Sequence, residues 1–371
     1  MMTLYPQYYK RFKCKAEECN LTCCQDWKIY IDHKSWNKYK SFDDDFLMNC
    51  CADDGNYSFR MKDNGKCSML DEDGLCKLIL KYGEEVLCDT CTSYPRQRLL
   101  WRDYQELSMI NSCPHVLELL LDLDSSLAFE KDDLDVDKIN VDNSIEQKML
   151  DARNIMIDLT QMKNVPLWIK LVFLMKFSED LLDNTEIEKI TEAYQNESML
   201  SNILMSIPSD SVYSVEKMYM EIDLIKSVNN GHEDNNSYKS NIAPIMRYFE
   251  TICEGEWVVE WKRFQRVFKS YELFFENYVV NHIFSTLTPY LDSNLFFDEI
   301  QLIVLEYIVI RMTLYILWLK NGHSLEDKDV IDISAYYPRV MDSDIRFHTE
   351  FLRNENWISR FSTELLIELL K

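Results

Sequence analysis

Glycine is scarce in this chain. The sequence has 371 residues and 7 glycines, about 2% where roughly 7% is usual, and the nearest two lie nine positions apart. A dinucleotide-binding loop or a P-loop needs clustered glycines, because its backbone must approach a phosphate closely. The sequence therefore excludes the common glycine-rich nucleotide sites, including a Rossmann-type site for a methyl donor.

Basic residues are also under-represented. Lys and Arg number 40 against 63 Asp and Glu, which gives a formal charge of −23. The deficit lies in residues 116–371, with 24 basic and 45 acidic side chains, whereas residues 1–115 are nearly balanced. Nucleic acid is therefore not an expected partner. A cationic partner or a lysine-bearing substrate would be attracted, although an acidic surface that only maintains solubility explains the same charge.

The start of the sequence has no apolar run of the length that a secretory signal needs. This predicts a cytoplasmic protein with reduced thiols. The chain nevertheless has 12 cysteines, of which eleven precede residue 115. In a reducing compartment such a concentration favours metal binding over a disulfide framework.

The patterning along the chain predicts a mainly α protein. A loop-rich cysteine-cluster module at residues 1–121 is expected to pack on a C-terminal α-helical domain at residues 144–371, with an exposed acidic connection at 122–143 between them. Four of the seven glycines fall in turn-like settings of the cysteine module.

Two stretches of the helical part are distinctive. Aromatic residues recur at steps of three and four from Trp257 to Tyr278, which predicts a buried helix stripe, with a ligand groove as the alternative. Residues 300–319 are apolar enough to resemble a membrane span. Glu306 and Arg311 lie inside that stretch, and ionised groups at mid-span are costly, so we predict a buried core helix and no membrane span.

The first cysteine cluster consists of Cys14, Cys19, Cys23 and Cys24, with the spacing C-x4-C-x3-C-C. A helix cannot present these thiols on one face, so they must surround a centre from a loop. The spacing is compatible with an iron–sulfur cluster or with zinc. The C-x3-C-x2-C signature of radical chemistry on S-adenosylmethionine is absent, because Asp26 stands where its third thiol would be.

A second group of cysteines follows. Cys67 and Cys76 flank a glycine turn, and Cys88 and Cys91 form a C-x2-C pair. Cys113 precedes a proline and is predicted to cap a helix, where the dipole favours its thiolate.

Cys50, Cys51 and Cys253 are the best candidates for buried apolar side chains without a chemical role. A redox role for the C-x2-C pair Cys88 and Cys91 is a weaker interpretation, because no thioredoxin-like βαβ pattern surrounds it.

These residues resemble a known family over positions 5–120. The matching motifs are Tyr9-Lys10-Arg11-Phe12-x-Cys14, Cys19, Cys23-Cys24, Trp27, Cys67-x8-Cys76, Gly83-Glu84, Cys91-x2-Tyr94-Pro95-Arg96 and Ser112-Cys113-Pro114. The chain resembles the flagellin lysine-N-methylases, whose N-terminal part is similar to zinc- or iron-chelating cysteine-cluster domains. Asp26 replaces the glycine that the family usually has before its tryptophan, so we expect a different local turn.

The resemblance implies transfer of methyl groups from S-adenosylmethionine to lysines of flagellin, the protein of the bacterial flagellum. It also implies an iron–sulfur cluster, of the 4Fe-4S type, with zinc as the alternative metal. The family's cysteines fall on Cys14, Cys19, Cys23, Cys24, Cys67, Cys76, Cys91 and Cys113. Cys88, Cys50 and Cys51 are extra to the pattern. Eight thiols leave open whether one or two centres form.

Methyl transfer to lysine is a polar displacement that needs no radical, so we predict a structural, regulatory or donor-positioning role for the cluster. Without a glycine-rich loop, the donor would bind in a groove between the cysteine module and the helices, and Tyr94 and Arg96 are the candidates to hold its carboxylate. The sequence identifies no general base. The alternative function is a non-enzymatic zinc- or iron-binding module with a helical protein-interaction domain.

Overall fold

The computed structural model describes most of the chain. The described residues are 2–19, 21–53, 55–101, 104–133, 144–182, 186–207, 214–230, 232–288, 293–341 and 362–371. Part of the predicted acidic connection, residues 134–143, lies outside them.

Helices dominate the described residues, as predicted. In the N-terminal part they are α1 (His33–Ser41), α2 (Asp45–Asn49), α3 (Lys77–Tyr82), α4 (Asp89–Ser93) and α5 (Pro114–Leu121). In the C-terminal part they are α6 (Ser144–Thr160), α7 (Leu167–Leu181), α8 (Ile187–Tyr194), α9 (Glu197–Ser206), α10 (Val215–Val228), α11 (Ala243–Phe249), α12 (Glu254–Phe268), α13 (Glu272–Thr286), α14 (Ser293–Lys320), α15 (Asp327–Met341) and α16 (Thr363–Leu370).

A small mixed sheet accompanies these helices. Its strands are β1 (Met2–Pro6), β4 (Arg96–Trp101), β5 (Tyr104–Met109) and β6 (Phe129–Asp133), in the order β4-β5-β1-β6. Strand β1 pairs in parallel with β5 and antiparallel with β6. A separate hairpin joins β2 (Cys51–Asp53) to β3 (Tyr57–Phe59). The four-stranded sheet was not expected from the sequence, and β6 lies within the stretch predicted to be an exposed connection.

Local sequence explains several helix boundaries. Asp32 begins α1, and its carboxylate accepts a hydrogen bond of 2.8 Å from the Ser35 backbone N–H. Pro114 occupies the first turn of α5 directly after Cys113, as predicted. Gly83 ends α3 with φ +88°, a conformation that a side chain would disfavour.

The long helix α14 is the centre of the helical domain. Its apolar stretch is long enough to cross a bilayer, but it is buried inside the protein and packs against α7, α10, α11 and α15. Its two buried charges have partners, since Glu306 lies 3.1 Å from the His282 ring and Arg311 lies 3.0 Å from Glu221. The prediction of a core helix is confirmed.

The aromatic stripe also belongs to the core. Trp257, Trp261, Phe264, Phe268, Phe275 and Tyr278 are all buried, as predicted. They pack together on α12 and α13 and against Tyr315 and Trp318 of α14. Tyr271 of the same stripe is only partly buried and donates a hydrogen bond of 2.9 Å to Asp327.

The buried residues form two separate cores. The buried apolar residues from Ile29 to Cys88 pack into a small core of their own, and we call residues 24–91 the cysteine lobe. The main core joins the helices to Tyr8, Phe12, Leu21, Met109 and α5. The chain segments on both sides of the cysteine lobe therefore pack with the helical domain.

Polar contacts of Arg339 and Asp26 attach residues 21–26 to the helices. Arg339 on α15 donates hydrogen bonds of 2.8–3.0 Å to the backbone carbonyls of Leu21, Thr22 and Ser112. Asp26 adopts φ +65° and accepts a hydrogen bond of 2.9 Å from the Ser237 backbone N–H. The residue in place of the family's glycine therefore adopts a left-handed conformation and makes a contact that glycine could not make.

Candidate functional site

All twelve cysteines are free thiols in the structure. Cys50 and Cys51 are buried, as predicted for cysteines that act as apolar side chains. Cys253 is exposed at the start of α12, so the prediction that it is buried is wrong. The remaining nine divide into two adjoining groups.

The first thiol group consists of Cys14, Cys19, Cys23 and Cys113, beside Arg339. Burial raises the pKa of the Cys19 thiol, and the nearby Cys23 and Cys14 raise it further, while Arg339 lowers it. Burial likewise raises the pKa of Cys113 to about 12, although two backbone N–H groups of α5 lower it. The expectation that the helix terminus favours a Cys113 thiolate is therefore wrong, because burial outweighs the dipole.

The second thiol group consists of Cys24, Cys67, Cys76, Cys88 and Cys91, inside the cysteine lobe. A hydrogen bond between the Cys88 and Cys91 thiols lowers the pKa of Cys88 and raises that of Cys91, and nearby Cys24 and Cys67 raise the latter further. Cys88 also lies near Cys76. The structure thus brings Cys88, which was extra to the family pattern, together with four cysteines of that pattern.

The two groups meet at the vicinal pair, where the sulfurs of Cys23 and Cys24 are 4.0 Å apart. Thiols are suitable ligands for zinc or for an iron–sulfur cluster. Within the described ranges, however, no three His, Cys, Asp or Glu side chains converge in an arrangement that could hold a metal ion. The thiols are chemically suited to bind a metal, but in the described part of the structure they do not surround a common centre. No reaction step is therefore assigned to a metal.

Directly beside the first thiol group, a cleft of about 830 Å³ opens between the cysteine lobe, the sheet and the helices. We call it the junction cleft. Its lining includes Trp27, Tyr94, Arg96, Arg98, Glu106, Ser112, Phe284, Glu299 and Arg339. The structure therefore brings both Tyr94 and Arg96 into one groove between the two parts of the chain.

Tyr94 forms part of the inner wall of the junction cleft. Its hydroxyl lies 3.2 Å from the Ser112 hydroxyl, and its ring lies 6.1 Å from that of Trp27. Burial raises the pKa of Tyr94 above its usual value. The phenol therefore stays protonated at neutral pH and can serve as a hydrogen-bond donor, not as a base.

Arg96 and Arg98 are exposed on strand β4 at the cleft. Two positions apart on a strand, they point to the same side of the sheet. The guanidinium of Arg96 lies over the Phe12 ring at 4.8 Å, whereas Arg98 donates a hydrogen bond of 2.6 Å to Gln105. The cleft thus has a cationic edge in a chain of strongly negative charge.

Sequence reasoning missed the buried ion pair beneath the cleft. Glu106 of β5 accepts hydrogen bonds of 2.6 and 2.8 Å from Arg153 of α6, and both side chains are at most 3% exposed. The two residues are 47 positions apart, so no local pattern reveals the contact. Both carboxylate oxygens of Glu106 therefore accept a hydrogen bond from the Arg153 guanidinium.

The site is thus a cleft with arginines at its edge, joining a helical domain to a thiol-rich lobe. Comparison with known proteins gives the family. Residues 153–359 match the FliB lysine N-methylase C-terminal domain, and the chain belongs to this family. The match falls on the helical part, whereas the motifs that carried the resemblance lie before residue 121.

Two individual relatives are similar to part of the chain. The chain is 27% identical over 139 residues to the lysine-N-methylase of Salmonella typhimurium, which is 34% of each chain. It is 28% identical over 135 residues to the flagellar biosynthetic protein FliU of Salmonella muenchen, 33% of this chain and 79% of that one. The chain therefore spans about a third of the length of the lysine-N-methylase it matches. No solved structure matches it.

Proposed function

We propose that the protein transfers methyl groups from S-adenosylmethionine to lysine side chains of flagellin, and that the donor binds in the junction cleft. The observation that carries this proposal is a cleft with a cationic edge, built by both parts of a chain that belongs to the lysine N-methylase family. A volume of about 830 Å³ lies within the range of small-molecule sites.

The proposed reaction is a direct displacement. The neutral lysine nitrogen attacks the methyl carbon, a C–N bond forms, and the C–S bond breaks with its electron pair going to sulfur. The products are a methylated ammonium group and a neutral thioether. The lysine has to lose a proton first, from a group with a pKa of about 10.4. Removal of the ammonium from water in the cleft would favour that loss.

The junction cleft offers specific contacts for the donor. Arg96 provides a charge-assisted hydrogen bond to the carboxylate of S-adenosylmethionine. The protonated Tyr94 hydroxyl provides a second hydrogen bond to it. The aromatic rings of Trp27 and Phe284 provide apolar wall. None of these contacts requires a glycine-rich loop.

The charge distribution supports a lysine-bearing protein as the acceptor. Residues 116–371 hold 45 acidic against 24 basic side chains, so a lysine-bearing surface would be attracted to them. The relative FliU carries the name of a flagellar biosynthetic protein. A cytoplasmic location, also part of the proposal, would keep the twelve thiols reduced.

The proposal includes an iron–sulfur cluster held by cysteines of the two thiol groups. Their mutual proximity supports it, and binding would require the thiols to turn toward a common centre. A polar methyl transfer has no redox step, so the cluster has a structural, regulatory or donor-positioning role. A requirement for reduction of the cluster in every turnover would contradict that role.

Incubation of the purified protein with methyl-labelled S-adenosylmethionine and flagellin is expected to label flagellin lysines. The label should be absent from flagellin whose lysines have been chemically blocked. Mass spectrometry of flagellin peptides identifies the modified positions. Absence of transfer by folded, metal-replete protein would remove the enzymatic proposal and favour a binding module.

Substitution of Cys91 or Cys88 by serine is expected to reduce the bound metal strongly, because both thiols belong to the second group. Metal analysis and visible absorbance of anaerobically purified protein distinguish iron–sulfur from zinc. Cys253→Ser is the matched control, since this thiol is exposed and lies directly before α12. Undiminished metal in Cys91→Ser would exclude a centre in the cysteine lobe, and undiminished metal in Cys88→Ser alone would restrict the ligands to the family pattern.

A further inference from the structure

A second cleft lies at the other end of α13. It has a volume of about 840 Å³ and is formed by the α6–α7 loop, α12, the start of α13, α14 and the C-terminal residues. We call it the aromatic cleft. Its lining differs from that of the junction cleft in every residue.

Aromatic side chains lie along one wall of the aromatic cleft. Trp168, Trp261, Phe264, Phe268 and Tyr307 contribute to its lining. Trp261 and Phe264 are almost fully buried, whereas Trp168 is only partly covered. The accessible part of Trp168 suits a planar ring, which stacks on an aromatic face with little dependence on its substituents.

Several charged side chains of this cleft already have partners. Lys170 donates a hydrogen bond of 2.5 Å to Glu276, and Arg311 pairs with Glu221 at 3.0 Å. Glu272 accepts a hydrogen bond of 2.9 Å from the backbone N–H of Leu167, at the start of α7.

Two further lysines line the same cleft without such compensation. Lys163 and Lys269 are both exposed, and neither forms an ion pair within the part of the chain that the structure describes. Lys371, also in the lining, pairs with Glu368 at 3.1 Å. The aromatic cleft therefore presents two available ammonium groups, although the whole chain carries a charge of −23.

Polar side chains complete the lining. Asn164 and Gln265 are exposed at the cleft, and an amide side chain has both a donor and an acceptor to offer a heterocycle edge. Ser126 and Ser270 add hydroxyl groups.

We infer that the aromatic cleft binds a purine nucleoside phosphate. The partly exposed ring of Trp168 stacks the base, and Lys163 and Lys269 neutralise the phosphate. Asn164 and Gln265 contact the edge of the base. A volume of about 840 Å³ is within the range of sites for ligands of this size.

This site is separate from the proposed donor site. Glu276 lines the aromatic cleft and Phe284 lines the junction cleft, and eight residues of α13 place them about 12 Å apart. Reacting atoms must approach to about 3 Å. A nucleotide in the aromatic cleft is therefore not the methyl donor for a reaction in the junction cleft.

The test is isothermal titration of the full chain with ADP, with adenosine and with inorganic phosphate as separate probes. ADP is expected to bind at one site, and adenosine and phosphate more weakly. In the double variant Lys163→Glu/Lys269→Glu the dissociation constant for ADP should rise by about tenfold or more. Lys262→Glu is the matched control, because Lys262 is exposed on α12 but does not line the cleft.

A second pair of variants tests the aromatic wall. Trp168→Ala is expected to weaken ADP binding, and Trp168→Phe to retain most of it. The inference is overturned if wild-type protein does not bind ADP at millimolar concentration, or if the lysine double variant binds it as tightly as wild type. It is also overturned if Arg96→Ala, and not the lysine double variant, abolishes ADP binding, since the nucleotide then occupies the junction cleft. Methyl transfer to flagellin is measured separately, so either proposal can fail alone.

Discussion

Replacement of Arg96 by alanine is expected to raise the KM for S-adenosylmethionine by about 10- to 100-fold, the value of one charge-assisted hydrogen bond to a carboxylate. Because the donor carboxylate does not take part in the chemistry, the contact should be equally strong in the ground state and the transition state, and kcat should change little. Arg96 is exposed on an edge strand, so the fold should not depend on it. Steady-state kinetics with varied donor concentration measure both constants.

Arg266→Ala is the matched control for this experiment. Arg266 is exposed on α12 and does not line the junction cleft. Tyr94→Phe should show a smaller increase in KM, since only one neutral hydroxyl is lost and the ring remains. An unchanged KM in Arg96→Ala would exclude the proposed position of the donor carboxylate. A large fall in kcat with unchanged KM would instead place Arg96 near the reacting atoms.

Replacement of Arg153 by methionine is expected to lower the free energy of unfolding by about 3–5 kcal/mol. The substitution leaves the Glu106 carboxylate buried without its bidentate partner, and an uncompensated buried charge is costly. The double variant Glu106→Leu/Arg153→Met should recover most of the loss, because the charge is then absent. Urea denaturation followed by circular dichroism measures each free energy.

The matched control on the same helix is Lys148→Met. Lys148 lies on α6 and pairs with Glu188 at a distance of 3.5 Å. The pair lies at the surface, since the Glu188 side chain is 69% exposed. Surface pairs of this kind contribute about 0–1 kcal/mol. A loss of less than about 1 kcal/mol in Arg153→Met would show that water reaches Glu106, and that the pair does not connect the sheet to the helices energetically.

The helical domain could be predicted from the sequence because its signals are local. The aromatic stripe of α12 and α13 follows the helical period, and α14 stands out as a continuous apolar stretch. Their burial confirms the interpretation. The scarcity of glycine is consistent with a mainly helical chain, because helix interiors disfavour glycine.

The sheet could not be predicted in the same way. Strand β6 has the sequence FEKDD, which carries no alternation of apolar and polar residues. It pairs with β1, from which it is separated by more than 120 residues. Such pairing depends on where the rest of the chain places the two segments, and a single sequence does not contain that information locally.

In the candidate site, too, some residues could be predicted from local sequence and others could not. Tyr94 and Arg96 were found because they adjoin the cysteine motifs, and the structure places them together in the junction cleft. Glu106, Phe284 and Arg339 line the same cleft from three distant parts of the chain. Their contacts arise from tertiary packing, as does the proximity of Cys88 to the other thiols of its group.

The existence of two cores changes where the protein is best divided. The chain enters the cysteine lobe beside Trp27 and leaves it beside Tyr94, and these two rings lie 6.1 Å apart. The lobe is therefore an insertion whose two ends are neighbours in space, within a continuous helical protein. A cut at residue 121 would expose Met109 and the buried face of α5. Exchange of residues 24–91 for a short linker would leave that surface covered.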